Sequence, residues 1–363
     1  MGALGRLLGV NGRMRFILPL LALVPLALVM EAAHIGGPTA VFLTSALSLI
    51  PLAGLLGRAT EEAAIYTGPK VGALLNATLG NAAELIITII ALRAGLVDLV
   101  KASIAGSIIG NILVVLGLSL LLGGLKNGTQ FFDAKAAGTN ATMMALAVVS
   151  LSIPAVFALG PEQTRPSEQN ISFLSDGLAI VLIVVYALYI FFSLRQESPE
   201  AEAREHHSAP TMKLSVALGL MAATTIGIVF MSELLVGAVE PVAEQWGLSE
   251  LFIGVMLVPL VGNIAEHIVA VQVAYQNKMD LSLGIAIGSG LQIALFVTPV
   301  LVWISVLLGN PMSLVFNGYE LAGLIGAALI AVLISVDGES NWLEGAQLIA
   351  LYIMLGISFY FVG

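Results

Sequence analysis

Along its length the chain alternates apolar runs of about 20 residues with short polar interruptions. Runs of that length suit an α-helix crossing a hydrocarbon core about 30 Å thick, whereas outer-membrane barrels show shorter, alternating segments. Hydropathy and charge punctuation predict about eleven spans, near 15 to 33, 38 to 57, 69 to 93, 98 to 124, 136 to 159, 173 to 194, 213 to 238, 250 to 276, 281 to 308, 314 to 335 and 342 to 362. Connections are short, as in a compact bundle. The exception is Arg195 to Pro210, which carries Glu197, Glu200, Glu202, Glu205, His206 and His207.

One stretch of this pattern occurs twice. The first copy runs from Gly72 to Glu84 and contains Gly80-Asn81-Ala82-Ala83-Glu84; the second runs from Gly254 to Glu266 and contains Gly262-Asn263-Ile264-Ala265-Glu266. The offset, 266 minus 84, is 182, and it holds without a gap to Gly106-Ser107 against Gly288-Ser289, passing Asp98-Leu99 against Asp280-Leu281. Both copies set a glutamate deep in an apolar run. A carboxylate there is costly, which marks Glu84 and Glu266 as functional candidates.

Composition excludes a soluble domain. With a mean hydropathy of +1.01, 58% hydrophobic and 10% charged residues, the chain has too little polar surface to face water. Cysteine is absent, which removes disulfides and cysteine metal sites. The formal net charge of -9 suits attraction of cations but lies mostly in loops. Arg6, Arg13 and Arg15 ahead of the apolar stretch from Phe16 to Met30 imitate a signal peptide, yet the run is long and more spans follow, so an uncleaved first helix is expected.

Charge placement sets an orientation. With the N-terminus inside, Arg6, Arg13, Arg15, Arg58, Lys70, Lys126, Lys135, Arg195, Arg204, Lys213 and Lys278 fall on the cytoplasmic side, and only Arg93, Lys101 and Arg165 fall outside. Eleven against three obeys the positive-inside rule and places the C-terminus outside. Glu84 is then on the third span and Glu266 on the eighth. An odd separation makes the copies antiparallel, the inverted repeat of many secondary transporters. The expected fold is an all-α polytopic membrane protein of 1 + 5 + 5 helices: an N-terminal transmembrane helix (1–36), a first five-helix repeat (37–194), an acidic cytoplasmic linker (195–211) and a second, inverted repeat (212–363).

Glu84 lies 14 residues after Lys70 and nine before Arg93, and Glu266 lies 16 after Glu250 and 12 before Lys278, so both reach mid-membrane depth. Asn81 and Glu84, like Asn263 and Glu266, are three apart and share a helical face. Gly80 and Gly262 permit local unwinding, and Pro259 removes a donor one turn earlier; carbonyls freed this way can help bind a cation. On the next helices Ser107 and Asn111 are four apart and Ser289 and Gln292 three apart, offering neutral oxygens. Packing glycines, a buried protonated glutamate and interhelical Ser or Asn hydrogen bonds are the structural alternatives. A single protonated carboxyl does not account for the same array at matching depth in both halves. His267, where the first copy has Leu85, either relays protons, tunes Glu266 or is a buried hydrogen-bonded side chain.

Two carboxylates with carbonyl and amide oxygens, and no sulfur or clustered imidazole, suit a hard divalent cation such as Ca2+. Emptied of metal, two buried carboxylates repel and resist desolvation, so protons replace the cation. Glu61 and Glu62 precede the first motif as Glu240 and Glu244 precede the second; they either attract or gate cations or are plain surface glutamates. The acidic linker reads as a solvated connector or a cation sensor, and its spacing is not that of a Ca2+-binding loop.

These residues, with Gly106-Ser107-Ile108-Ile109-Gly110-Asn111 and Gly288-Ser289-Gly290-Leu291-Gln292, resemble the paired repeats of the Ca2+/cation antiporter superfamily, in particular its cation/proton exchanger (CAX) branch. The resemblance extends over essentially the whole chain. It implies a Ca2+/H+ antiporter in which Glu84 and Glu266 bind Ca2+ and protons, helped by Asn81, Asn263, Ser107, Ser289 and Gln292. The related Na+/Ca2+ exchangers typically carry another acidic residue on the helix after the second motif, whereas Gly284 to Phe296 has none, which favours protons.

The expected substrates are therefore Ca2+ and protons, with the lipid bilayer as surroundings, no cofactor and no nucleic acid; a homo-oligomer is left open. A prokaryotic cell membrane is the expected location. A Na+/Ca2+ exchanger and a cation channel are the competing functions, though a channel filter normally comes from symmetry-related subunits. An intramembrane enzyme is not expected, since the chain lacks a His-Glu-x-x-His zinc motif and a paired aspartate-rich motif.

Overall fold

A computed structural model describes residues 18–158, 166–195 and 210–362. The bulk of the acidic linker and Arg6, Arg13, Arg15, Arg165 and Arg204 lie outside the described residues. After a short 3-10 turn, Leu18–Ala22, come α1 (Leu23–Ala33), α2 (Gly37–Thr67), α3 (Pro69–Leu79), α4 (Ala82–Arg93) and α5 (Val97–Gly110). A π-helical segment, Asn111–Leu116, joins α5 to α6 (Gly117–Asn127), and β1 (Gln130–Phe131), α7 (Ala134–Ala158), α8 (Glu168–Arg195) and α9 (Leu214–Trp246) follow. The single turn α10 (Glu250–Phe252) passes through a second π segment, Ile253–Leu257, into α11 (Val258–Gly262), then α12 (Ile264–Tyr275) and α13 (Met279–Gln292). A third π segment, Ile293–Val297, leads to α14 (Thr298–Leu307), α15 (Gly318–Ile334), β2 (Glu339–Ser340) and α16 (Trp342–Tyr360).

The protein is helical, as the apolar runs require. Among the described residues seven helices are long and apolar enough to cross a membrane, and Glu250–Gly262 with Glu266–Tyr275, bent by 63°, makes an eighth if counted as one span. Leu18–Ala33 and Gly318–Ile334 are shorter apolar helices. Many apolar side chains of α8 and α9, among them Phe173, Ile180, Leu188, Leu218, Ile226 and Phe230, point outward, as they do on helices solvated by lipid.

Helix ends depart from the apolar runs for identifiable reasons. α2 continues to Thr67, because Arg, Glu and Ala beyond the apolar stretch are good helix formers, and α9 runs to Trp246 through Pro241. The third predicted span is interrupted between Leu79 and Ala82, and the eighth at Asn263. Asn317 with Glu320 and Asn341 with Glu344 form capping boxes that start α15 and α16. The two-residue pairing of β1 with β2, Gln130 opposite Ser340, has no signal in the hydropathy pattern.

The chain folds into two compact units, residues 1–90 with 186–242 and residues 91–185 with 243–363, so each takes segments from both sequence halves. In the first, α2 packs on α1 and α3, Leu52 of α2 lies against Gly227 of α9, and Ala63 packs with Met212 and Ala217. In the second, α5, its π segment and α6 form the deepest element, with Ile104, Ile108, Ile109, Ile112, Leu113, Leu116 and Leu120 fully buried. There α5 meets the segment Ile253–Gly262 backbone to backbone. A methyl group on Gly106 would strike the Val255 carbonyl and the Pro259 ring, and one on Gly254 would strike Ala102.

The offset of 182 reappears in this unit as hydrogen bonds. Gly95 N–H bonds to Leu92 O at 3.0 Å and Leu96 N–H to Ala91 O at 3.0 Å; 182 residues on, Asn277 N–H bonds to Ala274 O at 2.9 Å and Lys278 N–H to Val273 O at 3.0 Å. Gly95 (φ 82) and Asn277 (φ 61) hold the left-handed position of this helix-ending turn. The π segments that start at Asn111 and Ile293 are also 182 apart, 293 minus 111.

Candidate functional site

Each repeated motif sits at a helix break, and the asparagine is the break. In the first unit Gly80 N–H still bonds to Asn76 O at 2.9 Å, and the Asn81 carbonyl then accepts from Leu85 N–H at 3.0 Å. Asn81 is fully buried. Glu84 lies in the first turn of α4, 8% exposed, where the helix N-terminus favours negative charge.

The second motif is built alike in the other unit. α11 ends at Gly262, Asn263 turns the chain at φ -92, ψ 3, and its carbonyl accepts from His267 N–H at 3.0 Å. Glu266 takes the first turn of α12, as Glu84 does in α4. Neither Gly80 nor Gly262 adopts a positive φ. The local unwinding expected at Gly80 and Gly262 takes the form of a helix break: each asparagine stands at the junction, and each glutamate lies in the first turn of the next helix. Pro259 lacks the N–H that an α-turn would use, and the chain accommodates this with the preceding π segment, in which Val258 N–H reaches Ile253 O.

In the second unit the polar partners cross between helices. Asn263 Nδ2 donates to Ser107 Oγ at 3.2 Å and to Pro259 O at 3.0 Å, instead of capping its own helix. Asn111 Nδ2 donates to Ser289 Oγ at 3.1 Å, and the Ser289 hydroxyl is hydrogen-bonded to the Glu266 carboxyl. The sequence grouped Ser107 with Asn111 and Ser289 with Gln292 on single faces. The structure links Ser107 to Asn263 and Asn111 to Ser289. Gln292, half-buried, is the last residue of α13 before the π segment, and His267 is buried beside Glu266.

Three buried oxygens in this constellation have no hydrogen-bond partner: Asn111 Oδ1, Asn263 Oδ1 and Glu266 Oε2. Buried acceptors left unpaired cost free energy of roughly 1–3 kcal/mol each, which a cation bound by oxygen can offset. Among the described residues no three Asp, Glu or His side chains come together as a metal cluster. The oxygens gathered here belong to carboxylate, hydroxyl, amide and carbonyl groups, the ligand types a hard cation takes. The π segments beginning at Asn111 and directly after Gln292 went unread in the sequence, because a π turn has no hydrophobic period; such turns recur at functional sites.

The profile of the sodium/calcium exchanger protein family matches residues 37–195 and 216–361, most of the chain. The chain belongs to that family. It is 46% identical over 358 residues to a Ca2+/H+ antiporter of Aphanothece halophytica, covering 94% of this chain and 95% of the relative. The Ca2+/H+ antiporter ChaA of Bacillus subtilis is 43% identical over 352 residues, covering 95% and 98%. Among solved structures, native YfkE superposes with a TM-score of 0.83 at 40% identity, covering 95% of this chain and 99% of that one. A structure of the H+/Ca2+ exchanger CAX, at 18% identity and a TM-score of 0.75, covers 97% and 93% and shares the fold.

Proposed function

We infer that this protein is an integral membrane antiporter that exchanges Ca2+ for protons. The observation that carries the reading is 46% identity, over nearly the full length of both chains, to a relative named as a Ca2+/H+ antiporter. The unpaired oxygens beside Glu266 and Ser289 agree with it. Glu84 and Glu266 bind either Ca2+ or protons. Two carboxylates neutralise one Ca2+, and protonation relieves their charge when the metal leaves, so a doubly ionised state in a low-dielectric setting is avoided. Asn81, Asn263, Ser107, Ser289 and Gln292, with the carbonyls at Gly80 and Gly262, supply neutral oxygen, and His267 takes part in proton coupling at Glu266. Cytoplasmic and extracytoplasmic access alternate, as suits an inverted repeat.

The 1 + 5 + 5 reading has support in the helices. The seven long apolar helices, the bent pair, the two shorter apolar helices and the interrupted pair α3–α4 make eleven. The duplicated turn and π segment agree with a repeat of 182 residues. The positive-inside count supports a cytoplasmic N-terminus and an extracytoplasmic C-terminus. The family name keeps Na+/Ca2+ exchange as the second reading. Ca2+ uptake into proteoliposomes, driven separately by a pH gradient and a Na+ gradient, tests both. Uptake driven by pH is expected; uptake that answered only to Na+ would replace this reading, and uptake indifferent to both would indicate a channel.

A further inference from the structure

Glu62 is far from a surface decoration. Its carboxylate is 6% exposed and joins α2 to the chain just ahead of α9. Glu62 Oε2 accepts from Thr211 N–H at 2.8 Å and Met212 N–H at 3.3 Å, and Oε1 accepts from the Thr211 hydroxyl. One turn on, the Tyr66 hydroxyl donates to Met212 O at 2.8 Å. Arg58 leans over the junction, its guanidinium 3.5 Å from Thr211 Oγ1 and 4.0 Å from Glu62 Oε1. Below this polar lock lies apolar contact, Ala63 with Met212 and Ala217, then Leu52 with Gly227. A buried carboxylate is tolerated only when donors replace its water, and here the donors sit beside the N-terminus of a 33-residue helix.

Among the described residues the lock is not duplicated. The residue 182 positions after Glu62 is Glu244, since 244 minus 62 is 182, and it is exposed, as is Glu240. Two helices equivalent by the repeat are thus bolted together at the Thr67 end of α2 but not at the Trp246 end of α9.

We propose that Glu62 is a positioning residue for transport, whose carboxylate clamps the Thr67 end of α2 to the Thr211–Met212 start of α9 so that the two helices move as one body through the cycle. The function assigned to it rests on the antiport reading. Because the chain has no cysteine, the variant Glu62→Cys/Thr211→Cys tests it cleanly. Reduced, the double variant lacks the clamp, and pH-driven Ca2+ uptake should slow by about tenfold, the loss expected for hydrogen bonds to a charged group, with the KM for Ca2+ within about twofold of wild type. Oxidised, it carries a covalent clamp, and turnover should recover. A protease site inserted between Arg195 and Pro210 reports whether the disulfide forms, because the cut halves then stay joined until reductant is added.

Unchanged turnover in the reduced variant, failure of the disulfide to form, or loss of residual uptake on oxidation would each overturn the proposal. The last result would mean that the junction has to open. Glu62→Gln keeps the side-chain size if the double variant does not fold, and should slow turnover without moving KM; Thr211→Ser keeps the hydroxyl and should behave as wild type. Wild-type protein without proton-driven uptake would instead remove the antiport reading, while disulfide formation would still report on the junction.

Discussion

Ser289→Ala tests the polar chain that ends on Glu266. In the native site the Ser289 hydroxyl accepts from Asn111 Nδ2 at 3.1 Å and is bonded to the Glu266 carboxyl. Asn111 and Ser289 are 1% and 4% exposed, so bulk water does not simply replace what the substitution removes. A hydrogen bond to a charged group contributes roughly 1.5–3 kcal/mol and a neutral one about 1 kcal/mol. The amide loses its acceptor in free and loaded protein alike, so that cost falls on stability and largely cancels from binding. The bond to the carboxylate does not cancel on the proposed mechanism, in which the ionised form of Glu266 is the one that binds Ca2+. The lower figure, about 1.5 kcal/mol, corresponds to a roughly tenfold higher KM for Ca2+. Ser107→Ala removes only a neutral bond from Asn263, whose Nδ2 keeps Pro259 O at 3.0 Å, a cost that likewise falls mainly on stability, so a rise of at most about twofold to threefold is expected there. The assay is pH-driven Ca2+ uptake in proteoliposomes across a range of Ca2+ at fixed pH, with Ser289→Thr as the variant that keeps the hydroxyl. A wild-type KM for Ser289→Ala, or equal shifts for the two alanine variants, would refute the assignment of Ser289 to the carboxylate.

Glu84→Gln and Glu266→Gln should each abolish exchange while leaving a monodisperse, folded protein in detergent, because an amide preserves shape but cannot cycle charge; residual Ca2+/H+ exchange in either would contradict the two-carboxylate mechanism. Gly106→Ala should lower stability by about 1–3 kcal/mol, since its methyl meets the Val255 carbonyl and Pro259, whereas nothing lies within 4 Å of a methyl on Gly110. Thermal unfolding of the two variants side by side measures that difference. On the proposed mechanism protons and Ca2+ compete for the same carboxylates, so acidifying the side from which Ca2+ loads should raise its KM; a KM independent of pH on that side would separate the proton site from the metal site.

The membrane class, the helices and the two motif glutamates were legible in the sequence because each leaves a one-dimensional trace: long apolar runs, and the same Gly-Asn-x-Ala-Glu array at a constant offset of 182. Bonds between helices leave no such trace. Ser107 and Asn111 share a helix and a face, yet their partners are Asn263 and Ser289, more than 150 residues away. The burial of Glu62 leaves no trace for a related reason. Its charge reads as a solvated helix end, and nothing local announces that Thr211 and Met212 will cover it.

At the Gly95/Asn277 turn and the Asn111/Ile293 π segments the repeat keeps the backbone and varies the polar chemistry hung on it, whereas the π segment Ile253–Leu257 has no counterpart in α3. The same turn is made by Gly95 and by Asn277, two residue types that tolerate a left-handed φ. The same π segment starts with Asn111 in one copy and with apolar Ile293 in the other. At neighbouring aligned positions Gly110 faces Gln292 in the alignment, and Leu85 faces His267. The glutamates, serines and motif asparagines are duplicated at the offset of 182. Asn111, Gln292 and His267 are each supplied once, and the Glu62 clamp is present once. On the proposed antiport reading, duplicated carboxylates with neutral partners supplied only once give the two copies of the motif different surroundings. For that reason substitutions at Asn111 and Gln292 should alter affinity and pH response differently, although their aligned backbone positions are only one residue apart.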